Sequence, residues 1–144
     1  MGRSDGAGSR KPDPLCQARS NAIPLHAWAW SLAGDDRLSK PALAAIEAAD
    51  TVLVSPITFF EIAQKVRLGK WPEMEPFVGR LAALLGEQGG SVAGFDPAVC
   101  IAAGTMAWTH RDPFDRLLAA TAMHYNLPLA SADAVFDGIV TRLW

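Results

Sequence analysis

Three times after residue 50 the chain sets a small capping side chain directly before a proline: Ser55-Pro56, Asp96-Pro97 and Asp112-Pro113. Ser or Asp accepts hydrogen bonds from the free N–H groups at a helix start, and proline, with φ fixed and no N–H to satisfy, suits the first helical position. Each pair therefore marks the beginning of a helix. Two of the pairs follow short apolar runs, Thr51-Val52-Leu53-Val54 and Ser91-Val92-Ala93-Gly94-Phe95, with the length and composition of strands. Strands that hand over to capped helices imply βαβ units and an α/β fold: a parallel sheet with helices on both faces. Sites are then expected at the carboxyl ends of the strands, near a topological switch point.

The other elements fit this alternation. Helices are expected over residues 25–32, 39–49, 56–68, 76–85 and 97–106 and from Pro113 onward, with further strands at 127–130 and 139–143 and a single turn at 134–136. Residues 1–20 are rich in Gly, Ser, Arg, Pro and Asp and carry too few apolar side chains to offset the entropy of ordering them, so they read as a flexible tail before a single domain over 21–144. Half of the residues are apolar, enough for one proper core. No apolar run reaches the roughly 18–20 residues of a membrane-spanning helix. Cys16 and Cys100 lie far apart and in no metal-ligand spacing, which reads as two reduced thiols in a cytoplasmic protein with no membrane partner. A net charge of −2 gives no basic footprint for non-specific duplex binding.

Three separated carboxylates carry the chemistry. Asp115 falls in the first turn of the helix opened by Asp112-Pro113, Glu61 lies in the helix opened by Ser55-Pro56, and Asp133 follows the strand ending at Ala130. Carboxylates at strand–helix junctions suggest a metal site, although an Asp in a first turn is also what the helix dipole favours. Thr58, Glu61 and Lys65 share one helical stripe, which is either a face of the site or an exposed ion pair worth a few tenths of a kcal/mol.

Several runs, in order and at their spacing, resemble the PIN-domain toxins of VapC type: Leu25-His26-Ala27-Trp28-Ala29-Trp30, Asp35-Asp36-Arg37-Leu38-Ser39, Ser55 to Lys70 with Glu61 at its centre, His110-Arg111-Asp112-Pro113-Phe114-Asp115-Arg116, and Ala130-Ser131-Ala132-Asp133. The resemblance covers about residues 23–144. It implies a PIN-like α/β/α sandwich with a central parallel sheet, and the toxin of a type II toxin–antitoxin system: an endoribonuclease acting on RNA with Mg²⁺ or Mn²⁺, blocked by a cognate VapB-type antitoxin and forming a homodimer. The catalytic and metal-binding positions would correspond to Glu61, Asp115 and Asp133, with Asp112, Thr58 and Ser131 in support. Oxygen donors without Cys or His suit Mg²⁺ or Mn²⁺ better than Zn²⁺. Lys65, Arg111 and Arg116 are candidate phosphate contacts.

One departure stands against these matches. The family's first strand ends in Asp-Thr-His, its Asp a pocket ligand, and this chain has Pro24-Leu25-His26 there. Gln17 to Ile23 also reads poorly as a central strand, because it is polar and proline ends it. The first two dozen residues accordingly read as a displaced start, from a frameshift or a different start codon, a hypothesis that an upstream reading frame lacking Asp-Thr-His-like codons would sink. Weakening a metal site by one carboxylate could slow cleavage by roughly 10²- to 10⁴-fold. The rival function is therefore a catalytically inactive PIN-like protein that binds an antitoxin or dimerises. A metal-dependent phosphatase on another doubly wound fold lacks its Asp-x-Asp after a first strand.

The remaining singled-out residues have plainer readings. His26, His110 and His124 show no ligand spacing, Trp28, Trp30 and Trp108 read as core or subunit contacts, Asp96 as an N-cap and Asp137 as a turn residue.

Overall fold

The computed structural model describes residues 21–23 and 25–144. Pro24 and the whole 1–20 segment, with Asp13 and Cys16, lie outside the described residues. Five short strands form one parallel sheet: β1 (Asn21–Ile23), β2 (Val52–Val54), β3 (Ser91–Val92), β4 (Leu129–Ala130) and β5 (Arg142–Leu143), in the order β3-β2-β1-β4-β5. Among the described residues, six α-helices connect or flank them: α1 (Leu25–Ala33), α2 (Lys40–Ala48), α3 (Pro56–Arg67), α4 (Leu81–Glu87), α5 (Pro97–Thr105) and α6 (Pro113–Tyr125).

The cap-proline pairs do what their chemistry dictates. Ser55 Oγ accepts from Ile57 N, Asp96 from Val99 N, and Asp112 from both Phe114 N and Asp115 N. Ser39 Oγ caps α2 in the same way through Ala42 N. At the far end of α6 the chain turns through Asn126 at φ 53°, a left-handed cap that Asn tolerates better than most residues.

Alternation along β4 shows how the sheet divides its core. Ala130 packs with Val54, the α1 face (Trp28, Trp30), Ile62 of α3 and the Trp71–Leu85 region; Leu129 packs instead with Leu118, Ala119 and Ala122 of α6 and with Phe136. Helices thus cover both faces, the α/β/α arrangement expected from the sequence. Trp28 meets Phe59 edge to face at 5.5 Å, and its Nε1 donates to Gln88 Oε1 at 3.1 Å. Both tryptophans of α1 are core residues.

The largest correction concerns the first strand. Asn21–Ile23 is the central strand of the sheet, paired in parallel with β2 (Asn21↔Val52, Ala22↔Leu53, Ile23↔Val54) and with β4 (Ala22↔Leu129). Neighbours on both sides supply a ladder that the residues' own propensity does not, and Pro24 follows the paired residues in sequence and so removes none of their N–H groups. A second correction lies at 72–87. The helix expected at 76–85 is a 3₁₀ segment, Pro72–Arg80, running into α4, because Pro76 inside it has no N–H for an α-helical bond. The strands at 91–95 and 139–143 are each only two residues long.

Candidate functional site

The strand order places a switch point between β1 and β4: the chain leaves β1 toward β2 and β3 on one side, and β4 and β5 lie on the other. Crevices at such points collect the loops and helix starts that follow the flanking strands. Here these are Ser55 and Thr58 after β2, and Ser131 and Asp133 after β4. The start of α6 joins them through α3, which it touches by a stacked ring pair, Phe60 on Phe114, 5.8 Å apart and inclined by 22°.

On α3, Thr58 and Glu61 face inward. Thr58 is completely buried, and its Oγ1 and Glu61 Oε1 are buried without a hydrogen-bond partner. The Glu61 stripe is therefore not the exposed ion pair that its spacing alone allowed: Glu61 and Lys65 are both half-buried. Burial pushes the Glu61 carboxyl up from 4.5 to about 7; Lys65 opposes the rise, and the negative charges of Asp115 and Asp112 add to it. Burial likewise holds Lys65 below the usual lysine range, with Glu61 acting to restore it.

On α6, Asp115 is also raised above the ordinary carboxylate range, mainly by burial, with His110 lowering it and Asp112 and Asp133 raising it. His110 Nε2 lies 2.7 Å from Asp115 Oδ2. With the carboxylate ionised, the imidazole must be the donor. His110 read in the sequence as an ordinary junction residue, and the structure makes it the partner of a candidate catalytic carboxylate. The available signal was its place two residues before the Asp112 cap, from which the chain folds back over the first turn of α6. The ring is braced by Trp108, 4.9 Å away.

Arg116 is a further correction. Its guanidinium is spent inside the protein: Nε donates to Ala103 O (2.7 Å), Nη2 to Met106 O (2.7 Å), and Nη1 to Trp108 O (2.8 Å) and His110 O (2.9 Å). It fastens the end of α5 and the 106–110 loop to α6, and so fixes the strip that carries His110. A phosphate would have to compete with four carbonyls. Arg111 remains exposed.

Asp133 sits at the rim. Its carboxylate accepts from Val135 N (2.9 Å), its own N–H is held by the buried Ser131 Oγ (3.1 Å), and Arg142 donates to Ser131 O (3.1 Å). Asp137 is a surface turn residue clamped by Arg142 at 2.6 Å. Asp96 is the plain cap expected of it, with His124 3.8 Å away. Glu61, Asp112, Asp115 and Asp133 thus form one electrostatically linked group, Glu61 through Asp112 and Asp115, and Asp133 through Asp115. Among the described residues, no three His, Cys, Asp or Glu side chains converge tightly enough to enclose an ion.

A protein-family model described as the PIN domain matches residues 26–140. The chain belongs to the PIN-domain family. A chain of the solved structure titled "Structure of FitAB bound to IR36 DNA fragment" is similar, with a TM-score of 0.53 and 18% identity over 84% of this chain and 92% of that one. At that identity the likeness concerns the fold. No curated protein matches the sequence. The span matched to the PIN family begins at His26, so position 24, where the sequence has proline in place of the expected Asp, lies outside it. No helix among the described residues of this PIN domain is long and apolar enough to cross a membrane.

Proposed function

We propose that this PIN domain is the toxin of a type II toxin–antitoxin pair of VapC type, a cytoplasmic single-domain endoribonuclease over residues 21–144 that hydrolyses RNA phosphodiester bonds with Mg²⁺ or Mn²⁺. The observation that carries the reading is Glu61: a carboxylate with one oxygen buried and unpartnered, on the helix that follows β2, with the negative charges of Asp115 and Asp112 acting on it. A buried carboxylate oxygen that no protein donor satisfies, with further acidic groups acting on it, suits a cation.

The donor set fits a hard divalent ion, since every candidate ligand is oxygen. Glu61, Asp115 and Asp133, which do not enclose an ion as they stand, would have to close on it, with Thr58 and Ser131 lining the approach and Asp112 fixing the start of α6. When bound, such an ion activates water and offsets charge developing on a phosphate. The protein's own contribution is orientation: His110 locks one Asp115 oxygen, Arg116 locks His110, and Lys65 lies beside Glu61 as the cation of that face. FitAB is seen bound to a DNA fragment; with a net charge of −2, this chain would need a basic partner, in our reading a VapB-type antitoxin, to join any such assembly.

A second reading is favoured by Pro24 in place of an acidic residue and by the lack of three converging carboxylates: an inactive PIN domain kept as an antitoxin-binding or dimerising module. Calorimetric titration of Mn²⁺ into the full chain, the Pro24→Asp variant and Asp115→Asn separates the two, with cleavage of single-stranded RNA followed in parallel. Binding by the chain as it stands, abolished by Asp115→Asn and accompanied by cleavage, is the expected result. Binding by Pro24→Asp alone would leave the inactive module.

A further inference from the structure

Phe60 is exposed over 54% of its surface although it occupies the helical position directly before Glu61. Its ring is not free to collapse, because Phe114 stacks against it at 5.8 Å, and Phe114 directly precedes Asp115. The backbone that carries the backing ring is fixed: Pro113 opens the helix, and Phe114 N donates to Asp112 Oδ1 at 2.8 Å. A flat aromatic pair thus bridges α3 and α6, each ring on the residue directly before one of the candidate carboxylates Glu61 and Asp115.

We propose that Phe60, held flat by Phe114, is a stacking platform for a nucleobase of single-stranded RNA adjacent to the carboxylate site. The inference rests on the nuclease reading above and adds the contact by which substrate is held. The acidic group of Glu61, Asp112 and Asp115, in a chain of net charge −2, repels a phosphate backbone where no cation offsets it, so a term independent of charge gains weight in the affinity. Base–aromatic stacking is such a term, and because every base has a π-face it works without sequence readout. Of the candidate phosphate contacts, Arg116 is committed to four carbonyls, which leaves the exposed Arg111 and the half-buried Lys65.

The test uses the full chain and a short single-stranded RNA carrying 2-aminopurine, in EDTA so that no cleavage occurs. The wild type and Phe60→Trp should quench the fluorescent base, whereas Phe60→Ala and Phe60→Leu should bind roughly 5- to 150-fold more weakly with the quenching lost. The salt dependence of binding should be unchanged, because no phosphate contact is removed. Phe60→Leu keeps the apolar bulk, so a loss confined to Phe60→Ala would overturn stacking in favour of packing. Wild-type affinity and quenching in Phe60→Ala, or absence of RNA binding by the wild type in EDTA, would overturn the platform and leave the nuclease reading standing, whereas absence of RNA cleavage by both the wild type and Pro24→Asp with Mn²⁺ would remove both. Loss of a dimer by light scattering in Phe60→Ala, with RNA affinity intact, would assign the ring to a protein contact and overturn the proposal.

Discussion

Replacing Glu61 by Gln should stabilise the metal-free protein at alkaline pH, the reverse of the usual outcome for altering a buried polar residue. Burial, with Asp115 and Asp112 adding to it and Lys65 opposing it, moves this carboxyl from 4.5 to about 7. The folded state therefore holds a proton that the unfolded state releases between those values, and stability falls as pH rises through that window. Below about pH 4.5 both states are protonated and the penalty is absent; above about pH 7 it is complete. At about 1.4 kcal/mol per pH unit the span corresponds to about 3 kcal/mol, and partial solvent access reduces this to about 1–2 kcal/mol. Gln keeps the shape without the charge. Urea unfolding in EDTA at pH 4.5, 6, 7 and 8 should show Glu61→Gln equal to wild type at the lowest pH and about 1–2 kcal/mol more stable at the highest. Asp115, raised in the same sense, leaves the variant some residual slope. Mn²⁺ should remove the wild type's disadvantage, because a cation compensates the charge that Gln lacks. An advantage of equal size at every pH, or none at pH 8, would refute the account of Glu61 as an uncompensated buried charge.

Three further outcomes follow from particular contacts. Arg116→Met should cost about 2–4 kcal/mol, since it strips a charged donor from four carbonyls, and hydrogen exchange should rise first at residues 106–110; protection unchanged there would show that the loop is held by something else. Asn126→Ala should cost about 1 kcal/mol in chemical unfolding, and Asn126→Gly should cost nothing or stabilise slightly, because φ there is 53°. At Gly94 an added Cβ would stand 2.6 Å from the Tyr125 hydroxyl, which also accepts from Gly94 N at 2.8 Å. Gly94→Ala should therefore lower stability by about 1–3 kcal/mol, and Tyr125→Phe, which removes the hydrogen bond without the clash, by about 1 kcal/mol, a difference that thermal melts resolve.

Local chemistry made much of the fold legible in the sequence. Ser39, Ser55, Asp96 and Asp112 each cap the helix they were expected to open, because an oxygen near free N–H groups acts over two or three residues and depends on little else. The alternation of those helices with short apolar runs gave the parallel sheet. Strand lengths and the 72–87 region were not legible, since a two-residue strand such as Leu129–Ala130 exists only through its neighbours and Pro76 redirects a helix that periodicity alone would continue.

The candidate site divides along the same line. Residue types at fixed spacing marked Glu61, Asp115 and Asp133 as candidates, and the caps that open the helices of two of them. Which side chains are linked, which atoms go unpartnered and which cations are already engaged depended on long-range packing. Arg116 could not be read as an internal clamp until the 106–110 loop lay against it, nor His110 as the partner of Asp115 until that loop folded back. Most telling is β1: Asn21-Ala22-Ile23 has no strand signal of its own and becomes the centre of the sheet because β2 and β4 flank it. The sequence alone determined where the capped helices begin and which residue types could do chemistry, both properties of short stretches of chain. Tertiary structure alone decided the central strand and the partners of each charge, because hydrogen-bond ladders and electrostatic neighbours belong to residues distant in sequence.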